Sequence, residues 1–505
     1  VLFGVSAKAL LGRKEEKKME RLSSKVRKKE KKKIKIRQFG EGNFLRAFID
    51  WRIKKRNDKG VYDGHVVLVQ PLEKGRVEEL KKQDYLYTLI LQGLNEENKP
   101  VKRHEVIPVI DDGVNPYTEY QKFLSYGESK DLEVIISNTT EAGIRFEEKD
   151  VSLDREKNTP LSYPGKLLAL LKRRYDVLGK EYGLSIIPCE LIDDNGDKLK
   201  EVLLSLARAK KRDSGFLDYL EKGCHYTSTL VDRIVPGFPK DEFPSLCKEF
   251  GYIDNNRVKG EYFHLFVLKK EPFVRERFPV DQAGVNAIYV SDVHPYKQRK
   301  VRILNGSHTS LVPVAYLAGY KEVRESLLDE RIYRFLLEEQ QEEILPTLHA
   351  NGSEQFAKDV RKRFLNPYVH HALLSIALNS QAKFKERDLP TILDNLERGH
   401  RPTHLFFSLA ALLVFYRGYF VLHGKREEIP LKDDENNLLF RKRIWAEYEK
   451  DKSRDRLACS YLSDIEIFGQ DLTKIDGLKD EFVSDLSLIR ESKDRFEARE
   501  KKFHE

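Results

Sequence analysis

Cysteine, methionine and tryptophan are scarce in this chain, with four, one and two among 505 residues. Cys189, Cys224, Cys247 and Cys459 stand too far apart for the paired spacings of a zinc site or a disulfide framework. Reduced thiols in a cytoplasmic setting are therefore expected. Cys224 and His225 are the only adjacent ligand types, and a chance neighbour explains them, so no metal site is expected. Long apolar runs are missing too. The stretch 2–11 is too short to cross a bilayer and has its charges on the wrong side for a signal peptide, so no membrane partner is expected. There is no internal repeat and, outside the N-terminal arm, no low-complexity segment.

Charge is unevenly placed. Residues 13–37 hold 14 Lys and Arg against 4 Glu, which is +10, whereas the whole chain carries +9. The rest of the protein is thus close to neutral. The arm lacks interleaved aromatic residues on which bases could stack, so it reads as a solvated, flexible extension over 1–33, helical in its second half. A polyanion-binding role for the arm is the distant alternative, and no nucleic-acid partner is expected. The oligomeric state is not legible.

From residue 34 to about 200, short β-branched runs alternate with helical periodicity. Val66–Val69, Val106–Val109, Val134–Ile136 and Ser185–Pro188 predict strands, and 116–126, 164–178 and 197–210 predict helices. Further strands are expected at Tyr262–Val267 and Ala287–Val290. From about 296 onward helices dominate, at 296–318, 329–344, 354–365, 368–380, 403–417, 436–449 and 479–493. The expected fold class is α/β, with a Rossmann-like dinucleotide-binding domain over 34–270 and a mainly helical catalytic domain over 271–505.

Two segments carry chemistry. The first is Gln38-Phe39-Gly40-Glu41-Gly42-Asn43-Phe44-Leu45-Arg46, where a strand runs through Gly-x-Gly into a helix. That order sets a dinucleotide pyrophosphate on a helix N-terminus. Leu45 stands where the third glycine of the fingerprint belongs. The second strand ends on Gln70 rather than an acid, which leaves NAD against NADP open. Ser137-Asn138-Thr139-Thr140-Glu141 directly follows the strand 134–136, where sheet topology places ligand loops, and its polar groups suit a nicotinamide ribose.

The second segment is Lys300-Val-Arg-Ile-Leu-Asn305-Gly-Ser-His308, set in an apolar helix. On an ideal helix the offsets of 5 and 8 residues place the amide about 140° and the imidazole about 80° from the lysine. All three could therefore reach one oxygen atom. A lysine that loses hydration has a lowered pKa and can exchange a proton near neutral pH. Its place at the start of the helical half would let it reach back towards the glycine turn.

Together, Gly40-x-Gly42-x-Phe44-x-Arg46-Ala47 and Lys300-x4-Asn305-x2-His308 resemble the polyol-specific long-chain dehydrogenases, the mannitol dehydrogenase family. Further blocks carry the resemblance: Ser137–Gly143, Pro188–Ile192 with Asn195-Gly196, Thr229–Ile234, Arg363-Phe-x-Asn366-Pro367 and Leu374–Asn379. The resemblance spans about residues 34–480. It implies a metal-independent oxidoreductase that passes a hydride between a nicotinamide and a carbinol or carbonyl carbon. Lys300 would be the acid/base, with Asn305 and His308 holding the oxygen. The cofactor residues it implies are Gln38 to Phe44, Arg46, Ser137, Asn138, Thr139 and Glu141, and the substrate residues are Asp232, Asn195 and Lys383.

The departures from the mannitol-type pattern concern the pocket. Lys297 replaces a glutamate three residues before Lys300, Leu191 an asparagine, and Ser375 an arginine. They imply a pocket rebuilt for a sugar acid, with Arg46, Lys297, Arg299, Arg302 and Lys383 as candidate cations for its carboxylate. A neutral polyol or a different sugar acid of the family is the alternative.

Overall fold

The structure, a computed structural model, describes residues 19–139, 142–152, 158–422 and 424–491. The chain divides into two compact units at Val293/His294, with the short stretch Glu96–Pro100 belonging to the second. The division falls 23 residues beyond the expected boundary at 270. The reason is that strand Leu265–Lys269 pairs on one side with Thr229–Asp232 of the first unit and on the other with Ala287–Val290, as one three-stranded sheet.

The first unit is built on six parallel strands: β1 (Ile34–Phe39), β2 (His65–Val69), β3 (Ile110–Val114), β4 (Val134–Ser137), β5 (Ser185–Pro188) and β6 (His225–Tyr226). Their spatial order is β3-β2-β1-β4-β5-β6. This is the doubly wound order of dinucleotide-binding domains, whose topological switch lies between β1 and β4. The uninterrupted apolar runs follow from burial on both faces. Ile36, Val66, Leu68, Val134, Ile136 and Ile187 enter one core, whereas Phe39, Val69, Ile135 and Ile186 enter the other. Helices Tyr163–Leu178 and Asn195–Ala209 cover the second face. The first of these starts on Ser162, whose hydroxyl accepts from the Gly165 amide, and has Pro164 in its first turn.

Two sequence expectations fail here. The strand expected at Val106–Val109 straddles a break between the strand Pro100–Ile107 and β3. The arm is neither helical nor loose over its described part. Leu22 is fully buried and donates its amide to the Ile253 carbonyl at 2.8 Å. Lys29 pairs with Asp111 at 3.3 Å, and Lys32, Lys33 and Lys35 meet Asp63, Asp131 and Glu133. These lysines neutralise carboxylates of their own unit, which weakens the polyanion reading. The rest of the extension, residues 1–18, lies outside the described residues.

The second unit is helical. Helix Thr403–Phe415 is buried along its whole length and packs against Ser307–Leu317 and Leu478–Glu491. The helix expected over 368–380 does not form. A short turn, Leu373–Ile376, is followed by a separate helix, Ser380–Arg387, entered through Asn379 at φ 52°. Left-handed backbone at that asparagine ends one element and starts the next. Among the described residues no helix is long and apolar enough to cross a membrane.

Candidate active site

The glycine turn leaves β1 at the topological switch. Gly40 has φ 123°, and a Cβ there would stand 3.1 Å from the Asn138 carbonyl oxygen, so the loops after β1 and β4 touch through a glycine. Gly42 has ordinary extended backbone, and a Cβ there would meet nothing within 4 Å. The helix behind it begins as Asn43–Leu45, passes through a π turn, Arg46–Asp50, and continues as Trp51–Asp58. Leu45, in place of the third glycine, is buried in the core beside Gly40.

Several side chains expected at a cofactor hold the turn itself. Phe39 buries its ring against Phe123 and Tyr163, so only its backbone reaches the loop. Phe44 stacks on Phe48 at 5.0 Å. Glu41 accepts from the Arg76 amide at 3.1 Å, and Gln38 donates to the Gly40 carbonyl at 3.2 Å. Arg46 is fully buried and donates to the Glu41 and Asn256 carbonyls and to Asn43 Oδ1. The guanidinium, expected at the cofactor or the substrate carboxylate, here clasps the turn itself. Gln70 is likewise spent on its own loop, donating to Leu72 and Glu73 carbonyls at 2.8 and 3.0 Å.

Asp50 in the π turn accepts from Tyr87 Oη at 3.0 Å, and burial pushes its carboxyl up to about 7 despite Arg46 nearby. A folded-state value above the unfolded one means that the folded state holds the proton between the two. This contribution to stability is full below the unfolded value of about 4 and is lost as pH rises through about 7. Asp50→Asn is therefore expected to flatten the fall in melting temperature between about pH 5 and about pH 8, a span that includes the folded-state value. Thermal unfolding at the two pH values checks this.

The loop after β4 is fastened by a residue to which sequence reasoning gave no role. Glu190 is buried, and its carboxylate accepts from Ser137 Oγ at 3.1 Å and from the Thr139 amide and hydroxyl at 3.0 and 3.1 Å. Burial raises its pKa, opposed by those hydrogen bonds. Asn138 donates its side-chain amide to the Cys189 carbonyl at 2.6 Å. Ser137 is thus a buried anchor of the loop, whereas Asn138 and Thr139 are half-exposed. Glu141 lies outside the described residues. Asn195, expected at the substrate, has its amide bridging the Glu190 carbonyl and Thr229 and is 1% exposed. Asp232 ends the strand Thr229–Asp232 and is buried, while Arg233 turns to the carbonyls of Phe263 and Tyr262.

In the second unit, Lys300 to Gly306 form a π turn between the helices His294–Arg299 and Ser307–Leu317. Hydrogen bonds from i to i+5 widen the turn, so residues five apart come onto one face. Asn305 is therefore nearer the Lys300 face than the α-helical angle predicts. Lys300 and Asn305 are half-buried and His308 is buried. Lys297 lies beside Lys300; burial first, then that neighbouring charge, lowers its pKa.

His308 stacks on Phe364 at 4.0 Å, with His371 edge-on at 5.1 Å. Burial, then His371, Arg363, Arg387 and Lys383, push the imidazole well below its usual range. It is held neutral, and its Nε2 has no hydrogen-bond partner among the described residues. Lys383 donates to the Ile376 carbonyl at 2.7 Å. Arg299 donates to the Asn351 carbonyl at 2.7 Å and Arg302 to Thr347 and Asp394, so both have structural work.

A parallel 3-2-1-4-5-6 sheet with Gly-x-Gly at its switch, followed by a helical unit bearing Lys-x4-Asn-x2-His, agrees with the comparisons. The Mannitol dehydrogenase Rossmann domain matches residues 34–282, and the Mannitol dehydrogenase C-terminal domain matches residues 292–490. This chain belongs to the mannitol dehydrogenase family. It is an oxidoreductase. Curated relatives include the altronate oxidoreductase of Bacillus subtilis (strain 168), 41% identical over 460 residues, which are 90% of this chain and 93% of the relative. That of Escherichia coli O6:K15:H31 (strain 536 / UPEC) is 40% identical over 462 residues, 90% and 94% of the two chains.

Among solved structures, a substrate-free D-sorbitol dehydrogenase superposes with TM-score 0.77 at 22% identity, covering 94% of this chain and 99% of its own. Pseudomonas fluorescens mannitol 2-dehydrogenase, solved with NAD and D-mannitol, gives 0.66 at 21% identity, with 93% and 95% covered. These two share the fold.

Proposed function

We propose that this family member is an NAD-dependent reductase of a keto sugar acid, interconverting D-tagaturonate and D-altronate. The observation that carries the reading is the identity of about 40% to altronate oxidoreductases over nine-tenths of both chains. The cations around His308 support an anionic substrate. The first unit fits a dinucleotide: Gly42 leaves open space in front of the helix N-terminus, and Gly40 lets two loops meet at the switch. The backbone of Gly40 to Asn43 would hold the pyrophosphate, with Asn138 and Thr139 flanking it. NAD is preferred here because a solved mannitol 2-dehydrogenase of the same fold holds it. Bound NADH supplies the hydride for the carbonyl carbon.

The chain's own residues act on the oxygen. Lys300 in its ammonium form gives a proton from Nζ to the carbonyl oxygen as that oxygen becomes an alkoxide. In the reverse direction the neutral amine takes the hydroxyl proton. The Asn305 amide donates to the same oxygen, and neutral His308 donates one ring N–H. Such preorganised donors are worth about 10²–10³ in rate each. Keeping His308 neutral matters, since an imidazolium would compete with Lys300 as the acid. A cytoplasmic setting belongs to the same proposal and is supported by four free cysteines, three of them buried.

The test is oxidation of altronate with NAD and with NADP, followed by absorbance of the reduced cofactor. Altronate-dependent reduction of NAD is expected. Oxidation of mannitol with no response to altronate would overturn the sugar-acid reading.

A further inference from the structure

We propose that Arg387, flanked by Lys383, is the residue that recognises the carboxylate of the substrate; the inference rests on the sugar-acid reading above. Helix Ser380–Arg387 places positions 383 and 387 one turn apart on a single face. It packs against both the π turn Lys300–Gly306 and the helix Ser307–Leu317. Arg387 donates one guanidinium N–H to Thr309 Oγ1 at 3.1 Å, and that hydroxyl donates to the Asn305 carbonyl at 2.9 Å. The guanidinium is thereby fixed two hydrogen bonds from one residue of the reacting site. It also lies close enough to His308 to act on that imidazole as a like charge, as does Lys383.

Asp388 and Glu386 act on Arg387, and Asp433 on Lys383, as opposite charges at a distance. Neither cation is ion-paired with a carboxylate among the described residues. The adjoining Asp388 is buried, and burial holds its carboxyl towards the neutral form. Two half-buried cations gathered at a neutral imidazole repel one another until an anion joins them. A neutral polyol would leave that repulsion in place, whereas a carboxylate removes it. The planar guanidinium has five N–H donors, of which Thr309 takes one, and it can meet both carboxylate oxygens. Of the cations considered from sequence, Arg46 donates to its own turn, Arg302 pairs with Asp394, and Arg299 is buried against the Asn351 carbonyl.

The experiment is steady-state reduction of tagaturonate by the full chain and its Arg387→Gln and Arg387→Lys variants, with NADH saturating. Loss of a charge-assisted hydrogen-bond pair raises KM for tagaturonate by about 10- to 100-fold in Arg387→Gln. The kcat is expected to stay within about threefold, and KM for NADH to be unchanged. Arg387→Lys, which keeps the charge without the fork, is expected to fall between wild type and Arg387→Gln. If Arg387→Gln does not fold, a KM for Arg387→Lys equal to wild type overturns the proposal. So does a change in KM below about twofold in Arg387→Gln, or a fall in kcat at constant KM, which would assign Arg387 to holding Thr309 alone. A wild type that reduces neither tagaturonate nor fructuronate overturns the sugar-acid reading itself. An active wild type with an indifferent Arg387→Gln overturns only the assignment of this residue.

Discussion

Lys300→Ala is expected to lower kcat for carbonyl reduction by about 10²–10⁴-fold, the usual worth of a positioned general acid. The change removes the only proton donor assigned to the carbonyl oxygen and leaves Asn305 and His308 as neutral donors. Lys297, one turn earlier and carrying a lowered pKa, is an ammonium that could substitute. Residual activity with a shifted pH profile in Lys300→Ala, lost again in the double variant, would identify such a substitution. NADH binding should be unaffected, because the glycine turn belongs to the other unit. Fluorescence titration of NADH reads this separately from turnover. Wild-type kcat in Lys300→Ala would remove the lysine from the mechanism.

The second large effect is on cofactor affinity. Gly42 has φ −67° and ψ 167°, backbone that any residue adopts, and no protein atom stands within 4 Å of its missing Cβ. Gly42→Val should therefore fold, with a melting temperature within about 5 °C of wild type. Its isopropyl group, however, fills the space through which backbone amides approach the pyrophosphate. The dissociation constant for NADH is expected to rise by about 10- to 100-fold. Gly40→Val is the contrasting variant. It forces a positive φ on a branched residue and presses on the Asn138 carbonyl, so stability and binding fall together. Unchanged NADH affinity in Gly42→Val would place the pyrophosphate elsewhere.

The sheet was legible because its strands are buried on both faces and so appear as apolar runs, such as Val66–Val69 and Val134–Ile136. The break between Ile107 and Ile110 was hidden, since both sides are β-branched and only the pairing partners differ. The glycine turn was legible at the level of backbone, but not which side chains would face a ligand. Arg46, Ser137 and Asn195 have the right chemistry for binding and are buried in the service of loops. Glu190 was visible only as part of a motif; its role needs the three hydrogen bonds that tie down Ser137 and Thr139. The Lys300, Asn305 and His308 spacing reads as one helical cluster in the sequence. Its true angles are not legible there, because no local sequence rule marks the π turn that brings Asn305 round. Arg387 escaped notice for a related reason. The helix expected over 368–380 does not form, and the helix that carries Arg387 begins only at Ser380.

The most direct test of the whole account is NADH oxidation with tagaturonate, fructuronate and fructose offered side by side at equal concentration. Rapid turnover is expected with tagaturonate, weaker turnover with its isomer fructuronate, and little with uncharged fructose. Fructose reduced as fast as tagaturonate, or no reaction with either acid, would contradict it.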